Sequence, residues 1–477
     1  MAGAIFIALD QGGQSSRAIA FDERGAELAS ASRPVTTTRP APGHVELDGD
    51  EIVDGLWESL DEVLAALGDD AQRVARIGMA TQRSSVAFWE VPGLALLAPC
   101  LSWQDTRAAR DLARHADEFA LIHRETGLWP SAHHGASKLA WGLRHFVPVA
   151  TARSLGQLRC GPLAAFLAAR LTESERAFVD PNNAGRTLLW NRWTRDWDPY
   201  LMSRFEVSVR ELPVCRPSEG EHGTVQTRVG SIPFELLLGD QPAALFSAGV
   251  PDPRSIYVNL GTGAFCLRVL EDASAECPRL LKSLAWSNEE GDEAWVIEGT
   301  VNGCGSALEW ARSTLGIAAE PDELDAALAA TGEPPLFLNT VSGLGSPWWR
   351  SGIAPRFVGE GDARQRLAAV LESIVFLLAR NIAELRRLDP PFTGIVATGG
   401  LSNVDGICRR LSSLSGVPVT RPAQVEATAR GTAWLLAGRP AEWIVDAAAP
   451  SVFEPDADEA LRARYVRFVR ELEAASA

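Results

Sequence analysis

A short pattern of strand, polar glycine-containing turn and strand occurs twice in the 477-residue sequence. The first copy covers residues 4–21 and predicts a turn at 10–16, and the second covers residues 256–270 and predicts a turn at 261–263. Each copy is followed by further helical and strand patterns. Two α/β segments that begin alike indicate an internal duplication with a cleft between the halves.

Glycine and two prolines interrupt the chain at 248–254, shortly before the second copy. Such residues are typical of a connection between compact units. The sequence therefore predicts two domains, at 1–248 and 249–477.

A helix and a buried strand are predicted after the first hairpin. Apolar residues at helical spacing over 52–67 predict a helix that ends at Gly68, and residues 76–80 predict the strand. Because Thr81, Gln82 and Arg83 follow that strand, polar side chains arrive where α/β sheets usually keep their sites, beyond the carboxyl ends of strands.

The composition excludes several classes of protein. A formal charge of −16 repels nucleic acid, and no apolar run is long enough to span a bilayer. Seven scattered cysteines without a CxxC spacing favour neither a disulfide framework nor a zinc site, so we expect a cytoplasmic protein without nucleic-acid or membrane partners. Assembly into a homo-oligomer stays open.

Three glycine-containing segments could present backbone N–H groups to phosphates. The turn at 10–17 adds hydroxyls, Arg17, and Asp10 as a carboxylate for hydrated Mg²⁺. By itself it is more often an ordinary hairpin, and the turn at 261–263 is a weaker signal. Together with Gly399-Gly400 after a predicted strand, they favour a nucleotide site.

Asp240 is the candidate for acid–base chemistry, because phosphoryl transfer uses a carboxylate to take the proton of the acceptor hydroxyl. It follows an apolar segment and Gly239, and precedes a helical stretch near the predicted boundary. An aspartate in that position is more often a helix N-cap, although the two roles are compatible.

The sequence resembles the FGGY carbohydrate kinases over nearly its whole length, and within them it is most similar to the glycerol kinases. No single matching piece is specific, but eleven occur in the family's linear order. They are 9–12 with 15–17, 82–83, 103–104, 126–128 with 138–141, 183–187, 239–241 with 243–246, 261–263, 298–299, 343–347, 371–374, and 399–400 with 421–422.

The resemblance implies an α/β actin-like ATPase fold with two ribonuclease-H-like halves that flank a nucleotide cleft. It also implies an enzyme that uses ATP and Mg²⁺ to phosphorylate a small polyol or sugar, with the acceptor on the first domain and the nucleotide on the second. Asp240 would be the general base, and Asp10 would hold Mg²⁺ through water. The other expected acceptor residues are Arg83, Ser84, Trp103, His133, Gln241 and Phe265. The expected nucleotide residues are Asp10, Gly12, Gly13, Gln14, Ser15, Arg17, Gly261, Thr262, Gly305 and Gly400.

The sequence departs from the glycerol kinase pattern at several of these positions. Ser84 replaces a glutamate and His133 replaces a tyrosine of the acceptor pocket, which raises a tetritol, pentitol or ketose as the alternative substrate. Gly13 and Gln14 replace two threonines of the first turn, and Val404 replaces an asparagine beside the adenine. These changes leave open a non-catalytic nucleotide sensor on the same fold.

Overall fold

The computed structural model describes residues 3–316, 321–329, 332–423, 426–443 and 448–476. The strands, β1 to β24 in chain order, are Ile5–Gln11, Ser15–Asp22, Glu27–Pro34, Thr37–Thr38, Glu46–Leu47, Val74–Thr81, Val86–Glu90, Cys100–Leu101, Leu158–Pro162, Phe178–Val179, Trp190–Asn191, Asp196–Trp197, Val214–Cys215, Thr224–Thr227, Gly230–Gly239, Ser255–Leu260, Ala264–Val269, Leu281–Ser287, Glu293–Val301, Leu336–Leu338, Arg356–Val358, Gly394–Thr398, Val419–Arg421 and Ser451–Phe453.

The α-helices, α1 to α15 in chain order, are Gly49–Leu67, Ala109–Ala113, Phe119–Thr126, Gly135–His145, Val147–Ser154, Leu163–Leu171, Pro181–Gly185, Pro199–Arg204, Asp240–Leu245, Gly305–Leu315, Pro321–Leu328, Ala363–Leu385, Asp405–Ser415, Ala427–Leu436 and Glu459–Ser476. Short 3₁₀ helices cover Gly68–Arg73, Ala116–Glu118 and Gly400–Asn403. Within the described part of the chain, no helix combines the length and the apolar character that a bilayer span needs.

The first large sheet has six strands in the order β14-β15-β6-β1-β2-β3. Strands β1, β2 and β3 form an antiparallel meander, and β6 and then β15 join β1 in parallel. The parallel strands are buried, as sheets covered on both faces require.

The second large sheet has seven strands in the order β18-β19-β17-β16-β22-β23-β24. Strands β16, β17 and β19 run antiparallel, and β22 and then β23 join β16 in parallel. The order β19-β17-β16-β22-β23 therefore repeats the order β3-β2-β1-β6-β15 of the first sheet, with the same strand directions. The predicted duplication is confirmed.

Contacts within the chain divide it into two compact units. The first unit contains Met1–Pro251, Ser283–Trp295 and Glu426–Val445, and the second unit contains the remaining segments. The sequence pattern does not anticipate the two later segments of the first unit, and a division into domains at 1–248 and 249–477 stays a prediction.

Local signals explain the main helix of the first unit. Asp48 caps the start of α1 by accepting hydrogen bonds from the N–H groups of Asp50 and Glu51. The helix ends at Leu67, before Gly68 with a φ of +56°. The predicted helix and its end are confirmed, although the helix begins three residues earlier than the apolar pattern indicates.

Candidate active site

The first turn joins β1 to β2 and is closed by a hydrogen bond of 2.9 Å from the Gly12 N–H to the Ser15 carbonyl. Gly13 and Gln14 at its tip are exposed. Neither Gly12 nor Gly13 has a positive φ, so the backbone conformation does not require glycine at either position. Because they have no side chains, the backbone stays accessible beside them.

Charged side chains gather at the base of the first turn. Arg17 donates to Ser15 Oγ at 3.1 Å and forms an ion pair of 2.5 Å with Glu426. Burial raises the pKa of Asp10 to about 7, Arg17 opposes the rise, and the carboxylates of Asp240 and Glu426 add to it. Three acids and one guanidinium are therefore within electrostatic reach of one another, and a bound cation would restore the ionised form of Asp10.

A buried polar network connects this turn to the loop that carries Trp103. The Trp103 N–H donates to Ser85 Oγ at 2.9 Å, and Ser85 Oγ donates to Gln82 Oε1 at 2.9 Å. Gln82 Nε2 then donates to the Gly12 carbonyl and to Gln11 Oε1, both at 3.2 Å. The first turn and the Trp103 loop are thus held in a fixed relation by hydrogen bonds.

Asp240 is the first residue of α9, directly after β15. The N-cap is Gly239 rather than Asp240, so the expectation that Asp240 caps this helix is wrong. Asp240 Oδ1 instead accepts the Gln241 N–H at 2.7 Å and lies 4.0 Å from Arg83 Nε. Arg83 also donates to the side-chain oxygen of Gln241, which brings these three predicted residues together.

Gly239 allows Arg83 to reach this position. A Cβ at residue 239 would lie 2.5 Å from Arg83 Cδ and 2.3 Å from Asn182 Oδ1, and both distances are too short for nonbonded atoms. Arg83 is buried and Asn182 is held by its hydrogen bond to the Leu284 carbonyl, so a side chain at residue 239 would have to displace one or both of them. Only glycine fits between them.

Ser84, Trp103 and His133 form a second group of predicted residues in the first unit. Ser84 has a φ of +69°, which is unusual for a residue with a side chain. His133 Nδ1 lies 3.0 Å from the Trp103 carbonyl, and their rings are 6.4 Å apart between centroids. Burial lowers the pKa of His133 from its ordinary value, so the neutral ring is favoured. Phe265 belongs to the second unit, where it lies half-buried on β17.

The second turn is closed by backbone hydrogen bonds and packs on the start of α10. Gly261 donates to the Gly263 carbonyl, Gly305 donates to the Gly261 carbonyl and Ser306 donates to the Thr262 carbonyl, each at 3.0 Å. Thr262 is exposed at the tip. The Gly305 N–H is thus committed to the turn, and a Cβ at residue 305 would lie only 3.0 Å from the Gly261 carbonyl oxygen.

Gly399 and Gly400, which follow β22, have different roles. Gly399 has a φ of +87°, and a Cβ there would lie 2.7 Å from the Leu260 carbonyl oxygen. Gly400 has no atom within 4 Å of such a Cβ and is exposed. Gly399 is therefore the packing residue and Gly400 the open one. Val404 is buried in the apolar core of the second unit, so its side chain serves packing.

Sequence reasoning did not assign a role to three residues that the structure connects to the predicted site: Glu426, Gln82 and Lys138. Glu426 is 409 positions from its partner Arg17, and no spacing rule links them. Lys138 has the clearest sequence signal of the three, because the chain contains only two lysines. Its burial is unusual, since lysine is seldom fully buried.

Comparison with known proteins shows similarity over both halves of the chain. The family model for the N-terminal domain of the FGGY family of carbohydrate kinases matches residues 5–247, and that for the C-terminal domain matches residues 256–438. The chain is 33% identical over 447 residues to a glycerol kinase of Gloeobacter violaceus, which covers 91% of this chain and 88% of the relative. It is 34% identical over 446 residues to a glycerol kinase of Alkalilimnicola ehrlichii, with coverages of 90% and 89%.

Solved structures resemble the fold at lower sequence identity. A Plasmodium falciparum glycerol kinase with ADP has a TM-score of 0.86 at 21% identity and covers 100% of this chain and 98% of its own. A xylulose kinase of Brucella ovis has a TM-score of 0.84 at 22% identity and covers 98% of each chain. The predicted α/β actin-like ATPase fold is confirmed.

Proposed function

Because the chain belongs to the FGGY family of carbohydrate kinases and therefore phosphorylates a polyol or sugar with ATP, we propose that Asp240 is the general base of this reaction. The observation that carries the proposal is the grouping of Asp240 with Arg83, Gln241 and Asp10 at the end of β15 and the base of the first turn. A carboxylate in that group takes the proton of the acceptor hydroxyl as its oxygen attacks the terminal phosphorus of ATP.

We propose acceptor-binding residues in addition to this base. Arg83 donates hydrogen bonds to acceptor hydroxyls and is held for that task by Gln241. A carbonyl only accepts, so the contact to the Trp103 carbonyl gives the hydrogen of neutral His133 to Nδ1 and leaves Nε2 as an acceptor for a substrate hydroxyl. The other proposed contacts are Ser84, Trp103 and Phe265.

Asp10 and the first turn suit hydrated Mg²⁺ beside the phosphates. Oxygen ligands are those that Mg²⁺ prefers, and the raised pKa of Asp10 shows a carboxylate whose charge lacks full compensation. Bound Mg²⁺ would supply positive charge to the phosphate oxygens. We assign Ser15, Arg17 and the backbone of Gly12, Gly13 and Gln14 to phosphate binding in the first unit. We assign Gly261, Thr262, Gly305 and Gly400 to the nucleotide in the second unit, with Gly305 as a support for the turn.

The acceptor is a separate question from the reaction. The similar proteins of Gloeobacter and Alkalilimnicola are glycerol kinases, which favours glycerol. Ser84 and His133 favour a different acceptor, because they replace a carboxylate and a phenol of the glycerol pocket with a short hydroxyl and an imidazole. A smaller, less charged wall accommodates a longer tetritol, pentitol or ketose.

The test is acceptor-dependent formation of ADP by the purified protein with ATP and Mg²⁺. The panel comprises glycerol, erythritol, the pentitols and several ketoses, and a reaction without acceptor measures the background. We expect at least one member to raise ADP formation well above background. ATP binding without stimulation by any acceptor would contradict the proposal and fit a nucleotide sensor.

We also propose the broader assignments made from the sequence. Residues 1–248 bind the acceptor and residues 249–477 bind the nucleotide, in a cytoplasmic protein whose partners are small molecules. Size-exclusion chromatography with light scattering tests whether copies of the chain associate.

A further inference from the structure

Lys138 is completely buried in α4 and binds three separate loops of the first unit. Its ammonium group donates to the carbonyl oxygens of Ser84 at 2.7 Å, Ser102 at 2.9 Å and His133 at 2.8 Å. An ammonium group has three hydrogens, so these three bonds use its full donor capacity. Lys138 therefore has no donor left for a ligand.

The three loops are the ones that carry the proposed acceptor contacts. Ser84 directly follows Arg83, Ser102 directly precedes Trp103, and His133 is itself a proposed contact. We propose that Lys138 is a positioning residue that fixes these loops, and with them the shape of the acceptor site. This inference rests on the proposed function.

The backbone at Ser84 gives Lys138 a specific task. A left-handed conformation at a residue with a side chain is held in place by its surroundings. The hydrogen bond from Lys138 to the Ser84 carbonyl supplies part of that restraint. Without it, Ser84 can return to an ordinary conformation and turn Arg83 away from Gln241.

Opposing influences within the same unit act on the charge of Lys138. Burial lowers the pKa of Lys138 to about 7, the carboxylate of the fully buried Asp105 opposes this shift, and Arg107 adds to it. Asp105 also accepts the Val45 N–H at 2.6 Å, which fixes it in place. The three carbonyl acceptors and this acid therefore favour the ammonium form of Lys138 against the effect of burial.

The experiment compares Lys138→Met and Lys138→Gln with Lys282→Met. Lys282 is a matched control, because it is also buried and donates to two carbonyls and one carboxylate, but it belongs to the second unit and binds none of these loops. Initial rates with the preferred acceptor give KM for the acceptor and for ATP separately. Calorimetry of each protein records the melting temperature.

We expect Lys138→Met to lower kcat/KM for the acceptor roughly 10- to 100-fold, chiefly through KM, with KM for ATP within about twofold of the wild type. Lys138→Gln keeps two hydrogen-bond donors, so its kcat/KM for the acceptor should lie between the values of the wild type and of Lys138→Met. Lys282→Met should alter the melting temperature without changing KM for the acceptor.

Unchanged KM for the acceptor in folded Lys138 variants would overturn the inference, as would equal losses in all three variants. If both Lys138 variants fail to fold while Lys282→Met folds, Lys138 has a purely structural role and the inference is also wrong. A wild type without acceptor-dependent activity would instead overturn the proposed function.

Discussion

At the base of the first turn, Asp10 and Arg17 face each other across the β1–β2 ladder, whereas the corresponding ladder of the second unit pairs Asn259 with Phe265. Asp10 has a raised pKa because its charge is buried among other acids. Asn259 is neutral and donates to Thr398 Oγ1 at 3.3 Å. At these corresponding positions the first unit thus carries charged side chains and the second unit carries neutral ones.

The loops after the parallel strands repeat this difference. In the first unit, β6 leads to Arg83 and β15 leads to Asp240, while in the second unit β22 leads to Gly399-Gly400. Duplication supplies equivalent loop positions, and the residue at each position decides its chemistry. The comparison supports our proposal that the acid–base group lies in the first unit and that the nucleotide contacts of the second unit are neutral.

Apart from substitution of Asp240 itself, the largest effect should come from removing the charge of the first turn. We expect Asp10→Asn to lower kcat roughly 100- to 1000-fold, because the carboxylate no longer contributes to the electrostatics of the phosphates and Mg²⁺. Asn259→Ala, at the corresponding strand end of the second unit, should change kcat much less. Steady-state rates at saturating ATP and acceptor measure kcat of both variants. Similar losses of kcat in the two variants would contradict the difference between the two turns.

Gly239→Ala should have the next largest effect. The new Cβ would occupy the space of Arg83 Cδ and displace the guanidinium, which should lower kcat/KM for the acceptor about 10- to 100-fold. Gly394→Ala is a control in the second unit, because the nearest atom to its Cβ would be 3.8 Å away. An unchanged KM for the acceptor in Gly239→Ala would contradict the role of Arg83.

Thr262→Ala should have a smaller effect, on KM for ATP rather than on KM for the acceptor. Loss of one neutral hydrogen bond in the second turn should raise KM for ATP about 2- to 10-fold and leave KM for the acceptor unchanged. Thr262→Ser retains the hydroxyl and should behave like the wild type. A change confined to KM for the acceptor would contradict the assignment of Thr262 to the nucleotide.

The smallest effect concerns stability in the absence of Mg²⁺. The pKa of Asp10 rises from 3.8 to about 7 on folding, so between these values the folded state holds a proton that the unfolded state releases. The free energy of unfolding therefore falls as pH rises towards 7. Above pH 7 the buried carboxylate is ionised, and it destabilises the folded state to the full extent that the pKa shift implies. We expect Asp10→Asn to raise the melting temperature by about 2–4 °C at pH 8, and by less at pH 6. Calorimetry at both pH values measures it, and a lower melting temperature at pH 8 would show that the carboxylate stabilises the fold.

Local features of the structure could be predicted because their causes are local. Turn glycines and alternating apolar residues locate both hairpins, and Gly68 marks the end of α1. The helix at Asp240 shows the limit of such rules, because an aspartate after a glycine fits an N-cap pattern while the structure uses Gly239.

The remaining site features arise from tertiary packing. Glu426 reaches Arg17 only because α14 packs against β1 and β6, and no nearby residue signals this contact. The buried side chain of Val404 likewise reflects the packing of α13, which sequence similarity alone does not reveal. The sequence could supply candidate residues for the site, but it could not supply their contacts.

The central claim is that the carboxylate of Asp240 takes the proton of the acceptor, and kcat of Asp240→Asn tests it most directly. At saturating ATP and acceptor we predict a loss of roughly two to four decades, with ATP still bound. Turnover at the wild-type rate would contradict the account.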